Sequence, residues 1–164
     1  MDSQFNIAEI FTFAEQIERN GARFYRRAAD FRVDSGQCRL LLDLAHMEEQ
    51  HEKVFARMKA EITQPDENEG AVFDPNTEAA RFLQAFADGH VFDLHADPTE
   101  QLRGDESLAQ ILRIAIGLEK DSIVFYLGMK DYIPETWGRE HIQRIITEEM
   151  KHIADLSDLL KSIN

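Results

Sequence analysis

The chain has 164 residues, 43% of them hydrophobic and 30% charged, which is enough for one domain with a substantial core. A net charge of −13 argues against partners held by their phosphates, so neither nucleic acid nor an anionic membrane surface is expected. No apolar run is long enough to cross a bilayer, no basic segment leads into an apolar stretch at the N-terminus, and the single cysteine, Cys38, can form neither an internal disulfide nor a Cys-x-x-Cys site; the expected location is cytoplasmic.

In chain order, helical periodicity runs through residues 6–33, with Asn6 and Glu9 spaced as a capping box, and then through 37–62 after the break at Gly36. Pro65 closes the second segment. The stretch 63–104 is different: polar and turn-rich over 64–70, helical over about 77–88 with Phe82, Leu83 and Phe86 on one face, and irregular from 89 to 104. Gly104 and Asp105 lead into a third long helix over 105–132, and Pro134 separates it from a fourth over 135–162. Helices of about 26 residues span roughly 39 Å at 1.5 Å per residue. Short connections make hairpins of residues 6–62 and 105–162, and the crossover 63–104 lets the second and third long helices run parallel. The fold expected is all-α, a four-helix bundle with an additional short helix in its crossover, as one domain over residues 1–164.

The sequence also repeats itself at a spacing of 101 residues. Glu18, Phe24, Tyr25, Glu48 and His51 recur without a gap as Glu119, Phe125, Tyr126, Glu149 and His152. Each copy is a glutamate followed, thirty positions later, by Glu-x-x-His. Stepping by three and four along the second long helix gives Leu41, Leu44, Glu48, His51, Phe55 and Met58; the fourth gives Ile142, Ile145, Glu149, His152, Leu156 and Leu159. Glu18 and Glu119 lie in equally apolar seams beside Ala14 and Ala115. Glu15, Glu49, Glu52, Glu148 and Lys151 fall outside those seams and read as surface.

Four ionised glutamates buried together would repel one another and pay a heavy desolvation cost. Two divalent cations offset the four charges and give each inward oxygen a partner. One buried Glu is ordinarily a hydrogen-bonded core residue, and a lone Glu-x-x-His arises by chance; two such motifs in a duplicated frame point to metal. Oxygen and imidazole ligands without thiolate suit iron or manganese better than structural zinc. Tyr25 and Tyr126, seven residues beyond Glu18 and Glu119, are either core filler or hydroxyl donors that orient a ligand carboxylate across the bundle. Gly21 and Ser122, the small seam residues one turn after the first ligands, leave space beside the metals. His46 and His141 are off the seams, and His90, Asp93, His95 and Asp97 in the crossover read as ordinary loop polar groups.

On these residues the chain resembles the rubrerythrin branch of the ferritin-like di-iron carboxylate superfamily, most closely over 17–25, 46–51, 116–126 and 148–152. The resemblance implies Glu18 and Glu119 as single-carboxylate ligands, with Glu48–His51 and Glu149–His152 as the paired ones. It also implies two iron ions that reduce peroxide or dioxygen, each iron giving one electron, and a homodimer. Two departures stand out. One cysteine leaves no room for a rubredoxin domain, so the electron donor must be external. Rubrerythrins also carry an extra glutamate where this chain has Ser122, which puts efficient peroxidase turnover in question. The alternatives are an iron-handling ferroxidase that forms no cage, since only twelve residues follow His152, and a helical module that keeps its metals for stability alone.

Overall fold

A computed structural model describes residues 7–32, 34–62, 74, 76–89 and 96–163. They form five helices: α1 (Ile7–Asp30), α2 (Ser35–Ile62), α3 (Glu78–Ala87), α4 (Leu108–Tyr132) and α5 (Arg139–Ser162). The expected cap at Asn6 and the stop at Pro65 lie outside the described residues.

Local chemistry moves several boundaries from their expected places. The Asp34 carboxylate accepts from the Gln37 N–H at 2.8 Å and so starts α2 at Ser35, with Gly36 inside the first turn. Ser107 and Gln110 close a reciprocal capping box that sets the start of α4 at Leu108. The fourth long helix is interrupted near its expected start: residues 135–137 make a 3-10 turn, Gly138 adopts φ +83°, and α5 begins only at Arg139. In the crossover, Thr77 caps α3 by accepting from the Ala80 N–H at 3.1 Å. The stretch read as irregular contains a 3-10 turn over Pro98–Gln101, capped by Asp97.

The core consists of two apolar clusters. One joins the first half of α1 (Ile10, Phe11, Ala14) to the second half of α2 (Phe55, Met58), the second half of α4 (Phe125, Tyr126, Met129) and the first half of α5 (Ile142, Ile145). The other joins the opposite halves, through Phe24, Ala28, Leu41, Leu44, Ile111, Leu112 and Leu156. These pairings make α1–α2 and α4–α5 antiparallel hairpins and set α2 parallel to α4. Phe86 and Leu83 tie α3 into the first cluster. α3 can lie this close because residue 128 on α4 is glycine: a Cβ there would sit 2.4 Å from the Phe82 ring. Between the clusters, at the middle of all four long helices, lies a layer of buried polar side chains. No helix among the described residues is long and apolar enough to cross a membrane.

Candidate metal centre

The polar layer consists of Glu18 on α1, Glu48 and His51 on α2, Glu119 on α4, and Glu149 and His152 on α5, each at most 3% exposed. The helical step of three residues puts each His on the same face as its Glu-x-x partner, so both point inward. Each imidazole turns Nδ1 toward the carboxylates. His51 Nδ1 lies 2.9 Å from Glu149 Oε1, 3.4 Å from Glu18 Oε2 and 3.6 Å from Glu48 Oε2. His152 Nδ1 lies 2.8 Å from Glu149 Oε2 and 3.6 Å from both Glu48 Oε1 and Glu119 Oε1. The two rings stack at 5.9 Å between centroids.

Two overlapping ligand groups result, Glu18–Glu48–His51–Glu149 and Glu48–Glu119–Glu149–His152, with the donor atoms of each within 4.8 Å of one another. The resemblance implies Glu48–His51 and Glu149–His152 as the paired ligands. The geometry adds that Glu48 and Glu149 each turn one oxygen toward each histidine and so belong to both groups.

The donor atoms fit a pair of cations. Glu18 Oε2, Glu48 Oε1, both Glu149 oxygens and both histidine Nδ1 atoms are buried and have no hydrogen-bond partner among the described residues. Buried polar atoms are rarely left in this state. Without cations, protons must balance the charge. Burial, then repulsion from Glu149, Glu119 and Glu18, raises the Glu48 pKa well above the usual carboxylate range. Burial and Glu18 push Glu149 up to about 8. Burial would lower both imidazoles, but close carboxylates outweigh it: His51 is strongly raised and His152 is pushed up to about 9. Burial alone would raise Glu119, yet contacts with His152, Glu149 and the Tyr25 hydroxyl bring it below its ordinary value. Divalent cations would take the place of these protons, and an O/N donor set without sulfur is the kind that iron and manganese accept.

Tyr25 and Tyr126 are fully buried and braced crosswise. Tyr25 on α1 donates its hydroxyl to Glu119 Oε1 on α4, and Tyr126 on α4 donates to Glu18 Oε1 on α1. Phe55 and Phe125, 5.0 and 5.8 Å from the Tyr126 ring, hold that ring in place. Burial and the neighbouring carboxylates push both phenol pKa values well up, so each hydroxyl keeps its proton and donates.

A cleft of about 250 Å³ opens beside the layer where Gly21 and Ser122 leave room. Three pairs of repeat-equivalent residues line it (Ile17 and Leu118, Asn20 and Asp121, Gly21 and Ser122), together with Glu48, Glu119 and the crossover residues Ala96, Pro98 and Gln101. The Ser122 hydroxyl is turned back to the Leu118 carbonyl at 2.9 Å and does not replace a ligand.

One functional neighbour was missed by periodicity. Glu148, read as surface, is 40% exposed at its side chain, yet its Oε2 lies 2.6 Å from His51 Nε2. Its position directly before the ligand Glu149 was the available signal. Of the other charges read as surface, Glu52 pairs with Arg19 at 2.6 Å and Glu49 with Arg26, while Glu15, paired with Lys59 at 3.2 Å, is largely covered. His46 and His141 are exposed. Asp97 is not a ligand: it caps the crossover turn by accepting from Thr99 and pairs with Arg23. His90, Asp93 and His95 lie outside the described residues.

No family model matches the sequence, and no curated protein matches it. Among solved structures, it is similar to a candidate ferritin-like diiron-carboxylate protein from Thermotoga maritima, with 25% identity and a TM-score of 0.76 over 100% of both chains. The fold is ferritin-like. In a ferritin-like bundle the mid-helix glutamate and Glu-x-x-His ligands are the place for a dinuclear metal site, and here that set is buried and convergent.

Proposed function

We propose that this ferritin-like protein is a di-iron oxidoreductase that reduces hydrogen peroxide or dioxygen. The observation that carries the reading is the pair of overlapping four-ligand groups sharing Glu48 and Glu149. When bound, two ferrous ions supply one electron each, enough to take hydrogen peroxide and two protons to two waters. Manganese would fill the same ligands.

The chain's own residues do the rest. Glu48 and Glu149, each with one oxygen toward each histidine, would hold both ions. Glu18 and Glu119 sit at opposite ends, each steadied by a tyrosine hydroxyl from the other half of the chain. The apolar clusters on either side keep bulk water from the layer, and the cleft beside Gly21 and Ser122 gives a small oxidant a way in. Re-reduction falls to an external donor.

Anaerobic loading with ferrous iron, followed by rapid mixing with peroxide or dioxygen, tests this. The expected result is two irons per chain, oxidised faster than free ferrous ion, with repeated turnover once a reductant is supplied. A single stoichiometric oxidation followed by iron release would move the reading to iron handling. Oxidation no faster than that of free ferrous ion would end the enzyme proposal.

A further inference from the structure

One break in the repeat puts a carboxylate against a histidine of the site. Glu148 lies directly before the ligand Glu149, and the residue 101 positions earlier, before Glu48, is Met47. Glu148 reaches from α5 to α2 and sets its Oε2 2.6 Å from His51 Nε2. His152 Nε2, in contrast, is buried with no hydrogen-bond partner among the described residues. A thioether is only a weak acceptor, so the equivalent methionine offers little in its place.

The contrast matters because both imidazoles face the site through Nδ1. A neutral imidazole that ligates through Nδ1 carries its proton on Nε2. For His51 that N–H is donated to a carboxylate, which fixes the tautomer, holds the ring plane and makes the ligand nitrogen a better donor. For His152 the N–H is buried without an acceptor among the described residues, a costly arrangement that favours other tautomers. The two metal positions share Glu48 and Glu149, and Glu18 and Glu119 are each steadied by a tyrosine. The histidine's outer partner is therefore a difference between them at the ligands themselves.

We propose that the two metal positions are unequal, the one at His51 binding its ion more tightly and filling first because Glu148 positions that imidazole while His152 has no such partner among the described residues. Glu148 is a positioning residue, acting through His51. The inference rests on the metal centre proposed above, and its test separates the two.

Metal-free protein is titrated anaerobically with cobalt(II), followed by calorimetry and visible absorption. Two steps are expected, separated by about 10- to 100-fold in affinity, the usual effect of such outer partners. His51→Ala should remove the tighter step and His152→Ala the weaker. Glu148→Ala should weaken the tighter step until the two merge, whereas Glu148→Gln, whose amide oxygen still accepts, should keep part of the separation. Met47→Glu should strengthen the weaker step, and it keeps the test independent of whether Glu148→Ala folds. In the zinc-loaded protein, one strongly downfield imidazole N–H should be visible by NMR and should vanish in Glu148→Ala. Two equal steps in the natural sequence, or a separation unchanged in Glu148→Ala, would overturn the inference. No cobalt bound at all would overturn the dinuclear site itself.

Discussion

Removing divalent cations should turn the mid-bundle layer from the strongest part of the molecule into its weakest, and should reverse the sign of its pH dependence. A ligand that binds only the folded state stabilises it by RT ln(1 + [L]/Kd), about 2.7 kcal/mol per site at a hundredfold excess over Kd. Two sites then give about 5 kcal/mol, and at roughly 2–4 °C per kcal/mol for a chain of this size the loaded protein should melt about 10–20 °C above the chelated one.

The pH dependence follows from the protons that replace the cations. In the metal-free protein Glu149 titrates at about 8 against an ordinary 4.5, and His152 at about 9 against 6.5. Both are raised by folding, so the stability they contribute is complete below the unfolded values. It is lost between pH 4.5 and 8 for Glu149 and between 6.5 and 9 for His152. Glu48 and His51, also raised, act in the same direction, whereas Glu119, which is lowered, exerts its opposite effect only on the acid side of 4.5. Each proton released on unfolding costs about 1.4 kcal/mol per pH unit, so the melting temperature of chelated protein should fall by roughly 3–5 °C per unit per proton from pH 6.5 to 8. Metal-loaded protein should gain stability over the same range, because cations bind ionised carboxylates and neutral imidazoles. Calorimetric melts at four or five pH values, with chelator and with excess manganese, supply both slopes. A chelated protein that grows more stable from pH 6.5 to 8, or melts that coincide with and without metal, would refute the reasoning.

Two substitutions probe the surroundings of the ligands. Tyr25→Phe and Tyr126→Phe each delete a buried hydroxyl that donates to a carboxylate, and each should cost about 1.5–3 kcal/mol in urea unfolding; Tyr126→Phe should weaken the position that includes Glu18, and Tyr25→Phe the one that includes Glu119. Gly21→Ala places a Cβ 3.3 Å from Glu48 Cγ, so Glu48 must move by a few tenths of an ångström. Because Glu48 belongs to both ligand groups, calorimetric titration should show both metal affinities falling together, while the helical circular dichroism stays unchanged.

Features fixed by helical period were legible in the sequence. The seams of α1, α2, α4 and α5 place Glu18, Glu48, His51, Glu119, Glu149 and His152 inward because apolar residues flank each of them at steps of three and four. α3 was legible for the same reason, through Phe82, Leu83 and Phe86. Features fixed by contacts across the fold were not. The crossover turn is capped by Asp97, whose ion pair with Arg23 joins residues 74 apart. Glu148 lies about 100° round the helix from Glu149, off the seam, and only its length and the nearness of α2 bring its carboxylate to His51. Recurrence could not mark it either, since its counterpart is methionine. The sharing of Glu48 and Glu149 was hidden for a related reason: spacing pairs a Glu with its own His, while a carboxylate has two oxygens and can face two ways.

The duplicated chain does not contain two independent sites. Residues 7–62 alone supply Glu18, Glu48 and His51 to the first candidate ligand group, but its fourth member, Glu149, comes from α5. The second candidate group likewise draws Glu119, Glu149 and His152 from the later hairpin and needs Glu48 from the earlier one. The tyrosines repeat this logic, each hydroxyl crossing to a glutamate of the other half. Neither hairpin can therefore satisfy its own buried carboxylates, and the apolar clusters that close over the layer also need residues from both. The polar layer is therefore a joint between the halves: its carboxylates and hydroxyls meet their partners only across the two hairpins, whether protons or cations balance the charge.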